Sequence, residues 1–315
     1  MHETTLIILI GVPGSGKSTL AKTLSLIYDC AKIFSSDEYR EKLLGNINDQ
    51  SNNDLVFKTL YKDIAEELHK GYNCIFDATN INYKARKRSL DSIESILRKK
   101  IKSNIKYRKE AIVCCTNISE CIVNDKNRER SVGEEVILKF VSKFEYPQYF
   151  EGFDHISSYI GKNSNNISRE DIYTRMSGFN QNSKYHKYDL MTHSIILSEI
   201  YSYRKDCLMS EVSKFHDIGK LVTETKDSDG FSLYYQHANY SAYIIACNPD
   251  IIKYDNKYTY SLNSVIFYIN QHMHIRDIVK SEKAIKKYIE LWGEERFNNL
   301  VEFMNNDNKA SGRAI

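Results

Sequence analysis

The chain predicts an α/β domain, a parallel sheet with helices on both faces, followed by an all-α helical domain. Three observations carry that expectation. Up to about position 150, short apolar runs alternate with stretches of helical spacing. The first apolar run ends in a glycine-rich turn that opens directly into a helical pattern. Beyond Pro147 the strand-like runs stop and helical spacing takes over. The 315 residues are enough for two domains of ordinary size, expected at 1–155 and 170–315.

Taken in order, residues 6–10, 32–34, 73–76 and 111–114 are strand candidates, short and rich in apolar residues. Between them, 18–28, 55–70 and 84–97 carry helical spacing. Gly152, Gly161 and the polar run Lys162-Asn163-Ser164-Asn165-Asn166 read as a connector. After it, residues 190–203, 208–216, 238–246, 264–273 and 296–304 have helical spacing.

Composition limits the function. A formal charge of +3 is too small for a protein that binds nucleic acid by bulk charge, so only local patches can do so. Seven cysteines, none in a C-x-x-C arrangement, argue against a thiolate zinc site or a disulfide framework and favour a reducing compartment. The first apolar run is far too short to span a bilayer, and no signal peptide is visible. The expectation is a cytoplasmic protein with no membrane partner.

Gly11-Val12-Pro13-Gly14-Ser15-Gly16-Lys17-Ser18 has the spacing of a phosphate-binding loop. A glycine-rich turn after a strand aims successive backbone N–H groups at phosphate oxygens, and the positive end of the next helix adds to them. Lys17 then reaches the β/γ-phosphates and Ser18, followed by Thr19, meets magnesium. The next strand candidate runs into Ser35-Ser36-Asp37-Glu38-Tyr39-Arg40, where Asp37 and Arg40 share one helix face. That face looks into the site if it lies at the carboxyl edge of the sheet. The spacing fits equally well a helix capped by Ser36, with Asp37 on the dipole and Arg40 solvated. The third strand candidate ends in Phe76-Asp77-Ala78-Thr79-Asn80, which brings a carboxylate towards the magnesium or the acceptor. Arg128 and Arg130 stand in a polar stretch between helical segments, suited either to a lid over the γ-phosphate or to plain solvation.

These four motifs in order, GVPGSGKS, SSDEYR, FDATN and RxR, resemble the kinase domain of polynucleotide 5′-kinases, the end-healing enzymes of phages and bacteria. The resemblance covers roughly the first half of the chain. It implies ATP or another NTP as donor, Mg2+ as cofactor, and RNA or DNA ends as acceptors. It also implies that Asp37 takes the proton of a 5′-hydroxyl and Arg40 holds an acceptor phosphate. Arg130, with Arg128, would grip the donor phosphates, and Asp77 would serve the nucleotide site. A phage-encoded enzyme acting in a bacterial cytoplasm falls within the same resemblance.

The second half concentrates metal-ligating side chains. His216-Asp217 follows an apolar helix pattern and precedes Gly219-Lys220, with His193 upstream and His237, His272 and Asp307 downstream. Imidazole and carboxylate ligands suit a divalent transition metal, and helices fix their geometry. Such a metal acidifies water and neutralises charge on an attacked phosphate, while Lys220 meets a phosphate oxygen. With nine histidines in the chain, a His-Asp pair alone is weak, and a lone His272 is more often a hydrogen-bonded core residue. His274 is left in that ordinary role, and Asp307 alone would read as a surface acid.

The order His, His-Asp, His, His, Asp resembles the HD phosphohydrolase superfamily over residues 181–312. That implies one metal on His193, His216, Asp217 and Asp307, with His237 and His272 holding a second or contacting the scissile phosphate. Mn2+, Fe2+, Ni2+, Co2+ and Zn2+ are the candidates, as one ion or two. Asn306 departs from the pattern, which has a small residue there. Asp227-Ser228-Asp229-Gly230 is similar to the nucleophile segment of haloacid dehalogenase phosphatases, but it follows a polar run and reads as a tight turn.

Lys84, Arg86, Lys87 and Arg88 suit phosphate contacts on a nucleic-acid strand, although a charge run on a helix is more often a solvated face. The pairing of the two resemblances implies an end-healing enzyme. It would carry a 5′-hydroxyl kinase and an HD phosphoesterase for 2′,3′-cyclic phosphate or 2′-phosphate ends. With no adenylylating lysine motif evident, a ligase would be a separate partner. Two alternatives stay open: a small-molecule kinase joined to an HD nucleotidase, and a kinase with a non-catalytic RNA-docking HD module.

Overall fold

A computed structural model describes residues 4–28, 31–161, 166–183, 186–253 and 260–312. The chain forms two compact units, Met1–Phe140 with Pro147–Ser164 and Val141–Tyr146 with Asn165–Ile315. Among the described residues no helix is long and apolar enough to cross a membrane.

The first unit holds a five-stranded sheet of β1 (Thr5–Ile10), β2 (Lys32–Ser35), β3 (Cys74–Asp77), β4 (Arg108–Cys115) and β5 (His155–Ile160). All neighbours are parallel, in the order β2-β3-β1-β4-β5. Helices α1 (Lys17–Ile27), α2 (Ser36–Leu44), α3 (Asn53–His69), α4 (Tyr83–Ile96), α5 (Ile118–Lys126) and α6 (Glu134–Val141) connect them. Every residue of β1 is buried, which is why that strand reads as a continuous apolar run rather than an alternating one. Ile7 and Leu9 join Ile75, Ile112 and Cys114 in one cluster with Leu20, Ala21 and Leu24 of α1. The N-terminal half is thus the expected parallel α/β domain.

β5 lies where the sequence reads as connector. It is a half-exposed edge strand, and its sequence HISSYI carries little of the apolar signal that buried strands show. Its pairing with β4 compensates, since Glu110↔His155 through Cys115↔Ile160 form a full parallel ladder. Residues 162–165 of the expected connector lie outside the described residues.

The second unit is essentially all helical: α7 (Arg169–Met176), α8 (Leu190–Tyr203), α9 (Cys207–Phe215), α10 (Lys220–Thr223), α11 (His237–Cys247), α12 (Leu262–Gln271), α13 (Ile275–Ile278), α14 (Glu282–Trp292) and α15 (Glu294–Ala310). Side-chain caps fix several starts, with Asp189 accepting from Thr192 N–H and Asp206 from Met209 N–H. Between α10 and α11 lies a small antiparallel hairpin, β6 (Glu224–Lys226) and β7 (Ser232–Tyr234). Its turn is Asp227-Ser228-Asp229-Gly230, where Asp227 Oδ1 accepts from the N–H groups of Asp229 and Phe231.

Candidate functional site

Three strand ends meet along one edge of the sheet. Because β2, β3 and β1 are adjacent and parallel, Ser35-Ser36-Asp37, Asp77 and Gly11 all leave the sheet at its carboxyl edge. The phosphate loop is held from several sides. Gly14 and Gly16 take φ of 80° and 86°, a region costly for other residues. A Cβ on Gly14 would stand 2.2 Å from the Cys121 carbonyl oxygen, so α5 packs directly on the loop. Asn124 donates to the Gly14 carbonyl and Thr116 to that of Ser15. Gly11 N–H donates to the Thr79 carbonyl, and Asn80 donates to that of Leu9, so the FDATN motif also braces β1.

Lys17 is buried and donates to the Val12 carbonyl at 2.8 Å. Burial pushes its ammonium below the ordinary lysine value, with the charge of Arg128 adding to the effect and Asp77 opposing it. Ser18 and Thr19 are exposed at the head of α1, and Pro13 and Ser15 line the turn before them. Asp77 is buried at the end of β3.

Asp37 and Arg40 do share a helix face, and they pair at 2.7 Å. Arg40 is buried and also donates from Nε and Nη2 to Asn53 Oδ1. The helix cap is Ser35, whose hydroxyl accepts from Glu38 N–H, so Ser36 is released from the capping role. Arg130 lies 3.8 Å from Asp37 Oδ2 and donates to the Ile47 carbonyl, whereas the charge of Arg128 is felt at Lys17. The loop that carries both arginines is pinned by a residue that the sequence did not single out. Asp125 Oδ2 accepts from Ser131 Oγ and from the N–H groups of Val132 and Gly133.

The basic run after FDATN is only partly a surface. Arg86 is fully buried and makes a two-pronged ion pair with Glu151, at 2.7 Å and 2.8 Å. Neither a nucleic-acid contact nor solvation describes it. Lys87 pairs with Asp91, and Arg88 is exposed.

In the second unit the six expected metal ligands converge in a buried cluster. His193 Nε2 lies 3.4 Å from His216 Nε2 and 3.1 Å from Asp307 Oδ1. His237 Nε2 lies 3.2 Å from His272 Nε2. Asp217 stands between the two groups: Oδ2 is 3.3 Å from His216 Nε2, and Oδ1 is 3.0 Å from His237 Nε2.

The ring orientations are set from outside. Nδ1 of His216, His237 and His272 faces the backbone carbonyls of Ser213, Tyr234 and Ile269 at 2.7–2.9 Å. Those carbonyls keep the proton on Nδ1, so the Nε2 lone pairs point at one another and at the carboxylates. Facing lone pairs repel unless a cation sits among them. Buried Asp307 Oδ1 makes no hydrogen bond, which fits the same conclusion. The donor set therefore suits a divalent cation.

The charges agree. Burial would raise both carboxyl groups, but the surrounding imidazoles, with Lys220 beside Asp217, hold Asp217 and Asp307 well below the ordinary range. Burial would also depress His216, yet Asp217 and Asp307 outweigh it and raise that imidazole to about 10. His272, buried beside His216 and His237, is pushed down to about 4.

Gly219 explains how the two halves of the cluster come together. A Cβ there would lie 2.1 Å from the His237 carbonyl oxygen and 2.8 Å from Ser241 N, so only glycine lets α11 approach. Lys220 is held by Asp217 Oδ2 at 2.6 Å and by Gln181 and His186, on the wall of a cavity of about 310 Å³. Arg276 and His186 line the same cavity. Arg276 holds Asp307 Oδ2 at 2.5 Å and Asn308 at 2.8 Å. Neither residue belongs to the motif order, and nothing local marks them in sequence. Asn306 donates to the Tyr201 hydroxyl at 3.2 Å and so ties α15 to α8. His274 turns onto Tyr288 and Trp292, apart from the ligand set.

A family described as an AAA domain matches residues 6–147. No curated protein matches the sequence. Among solved structures, one from the "Structure of Pnkp1/Rnl/Hen1 complex" is 22% identical with a TM-score of 0.33, over 39% of this chain and 39% of that one. A second, from the "Pnkp1/Rnl/Hen1 RNA repair complex", is 23% identical with a TM-score of 0.37, over 49% and 47%. A fungal RNA kinase is 16% identical with a TM-score of 0.39, over 52% and 79%. The chain thus spans less than half the length of the two repair-complex chains it matches. It joins a P-loop α/β domain to a helical domain whose buried His/Asp cluster can hold a divalent metal.

Proposed function

We propose that the chain is a nucleic-acid end-healing enzyme that acts on RNA. Its first unit is an NTP-dependent 5′-hydroxyl kinase and its second an HD-type phosphoesterase. The observation that carries the reading is the Asp37–Arg40 pair at the same sheet edge as the phosphate loop and Asp77.

In the kinase reaction Asp37 takes the proton of the 5′-hydroxyl as its oxygen bonds to the γ-phosphorus and the bond to the β,γ-bridging oxygen breaks. Lys17 leaves the Val12 carbonyl for the phosphates, the loop N–H groups hold the β-phosphate, and Arg128 and Arg130 close over the donor. Arg40, braced by Asn53, holds an acceptor phosphate. Ser18 and Asp77 are the residues that would hold Mg2+, which neutralises the phosphate charge.

In the second unit His193, His216, Asp217 and Asp307 would hold one metal, and His237 and His272 a second or the phosphate. A divalent cation there supplies Lewis acidity to the phosphate and to water. Arg276 and Lys220 face the cavity and attract the phosphate anion while fixing Asp307 and Asp217. Water oxygen bonds to phosphorus, one ester P–O bond breaks, and the leaving ribose oxygen takes up the proton. The products suit a separately encoded ligase.

The test uses one RNA with a 5′-hydroxyl and a 2′,3′-cyclic phosphate, with ATP, Mg2+ and Mn2+ present. Wild type should label the 5′ end and open or remove the 3′ phosphate. Lys17→Ala and Asp37→Ala should lose only the first activity, the latter by about 10²–10⁴-fold, and His216→Ala only the second. A protein that phosphorylates mononucleosides far better than RNA would overturn the nucleic-acid reading. Retention of 3′ processing and of Mn2+ binding by His216→Ala would remove the cluster from catalysis.

A further inference from the structure

Beside Arg40 the first unit opens into a trough of about 970 Å³, at the upper end of the range for small-molecule pockets. Its walls are one face each of α3 and α4. Asn53, Asp54, Phe57, Lys58 and Tyr61 follow the spacing of a single helix face, as do Arg88, Ser92 and Ser95 opposite. The α3 wall carries two aromatic rings. Phe57 and Tyr61 form a ring pair with centroids 5.8 Å apart, and Tyr61 is anchored by its hydroxyl to Ser89 Oγ at 2.9 Å. Phe57 remains partly exposed, with the Arg40 guanidinium 5.9 Å from its ring centroid.

The charge along the trough is one-sided. Arg40, Lys58, Arg88 and Lys100 line it against Asp54 and Asp91, and Asp91 is already paired with Lys87. Lys58, Arg88 and Lys100 are exposed and make no ion pair with a described residue. Aromatic rings in the wall and exposed cations beside them are what a single strand needs. Any base can stack on an aromatic face, and the phosphates follow the cations. A mononucleotide acceptor would engage Arg40 and leave the far cations unused.

We propose that this trough is the track of the acceptor strand, in which a base beyond the 5′ nucleotide stacks on Phe57 while Arg88 and Lys100 hold two separated phosphates further along the strand. The kinase reading supplies the direction of the strand, and the proposal rests on it in that respect. The occupant is a single-stranded oligonucleotide with a free 5′-hydroxyl; RNA and DNA versions of one sequence separate a requirement for the 2′-hydroxyl from backbone recognition alone.

Two measurements separate this proposal from the kinase assignment. The first is binding, by fluorescence anisotropy without ATP, of a 3′-labelled 5′-hydroxyl hexamer. Arg88→Ala with Lys100→Ala should weaken binding at least tenfold and reduce the salt slope by about 1.4, near 0.7 for each single-strand phosphate left without its cation. Phe57→Leu, which keeps apolar volume but removes the ring face, should weaken it about tenfold. The second measurement is the preference for hexamer over nucleoside 3′-monophosphate in kcat/KM, which should fall about tenfold in the same variants. Unaltered hexamer affinity and salt slope in the double variant would overturn the trough whether or not the wild type phosphorylates RNA. A wild type that binds the hexamer through these residues but transfers no phosphate would overturn the kinase assignment and keep the trough.

Discussion

Replacing Arg86 with alanine separates two readings of the same basic run. Its side chain and that of Glu151 are 0% and 1% exposed, joined by parallel N–H···O bonds of 2.7 Å and 2.8 Å. Arg86 also donates to the Asn80 carbonyl, within the motif that braces the phosphate loop. Removing the guanidinium strands a buried carboxylate, and breaking such a pair from one side costs about 3–5 kcal/mol. That is a large share of the roughly 5–15 kcal/mol that holds a typical domain folded. For a unit of this size each kcal/mol lowers the melting temperature by about 2–4 °C, so a drop of about 6–20 °C is expected. The assay exploits a feature of the sequence. Trp292, the single tryptophan, lies in α14 of the second unit, so its fluorescence follows that unit, whereas far-UV circular dichroism follows both. Arg86→Ala should shift the dichroism transition much more than the fluorescence one, and Glu151→Ala should do the same. A variant that melts within about 2 °C of wild type yet binds RNA more weakly would refute the structural role and restore the phosphate contact.

Three further outcomes follow from the same geometry. Gly219→Ala puts a Cβ 2.1 Å from the His237 carbonyl oxygen, so it should push α11 away and weaken Mn2+ affinity about 10–100-fold by titration calorimetry. Asp125→Ala frees the loop held through Ser131, Val132 and Gly133, so the KM for ATP should rise about tenfold and the segment should be cut faster by trypsin; an unchanged KM would detach this loop from the donor site. Burial would raise the Glu211 carboxyl, but Arg169 and Lys214 hold it below its ordinary 4.5. The folded value is the depressed one, so this contribution is complete above about pH 4.5 and is lost as pH falls through the folded value. Denaturation followed at Trp292 should therefore show a steeper acid loss in wild type than in Glu211→Gln.

What was legible in the sequence has a common physical character. β1 announced itself because it is buried on both faces, and the loop after it because Gly14 and Gly16 adopt positive φ, Gly14 directly against α5. The Asp37–Arg40 pair was legible as a shared helix face, although spacing alone left open whether the two residues met or faced solvent. β5 escaped because an edge strand need not be apolar, and its ladder with β4 depends on backbone groups that no side chain reveals. The run Lys84-Arg86-Lys87-Arg88 shows the limit most clearly. Its members look alike in sequence, yet one is fully buried, one is paired along its helix and one faces the trough, and the buried one is fixed by a partner 65 residues away.

The metal cluster follows the same rule one step further. Its six His and Asp side chains were readable because each is a residue type whose chemistry is narrow, but their separation into two groups is not a sequence property. It follows from Asp217 turning one oxygen to His216 and the other to His237, which requires α11 to sit against the start of α10. That approach is possible only over Gly219, and the carbonyls of Ser213, Tyr234 and Ile269 then choose the imidazole faces. Arg276 and Lys220 complete the arrangement by holding the carboxylate oxygens that face the cavity. Each of these residues already neutralises a carboxylate, so neither is a free cation waiting for a phosphate. A substrate anion reaching the cavity must share them with Asp307 and Asp217. In the proposed phosphoesterase, binding of phosphate and of metal would therefore be coupled through the same two carboxylates, and removing Arg276 should change both affinities together rather than the phosphate alone.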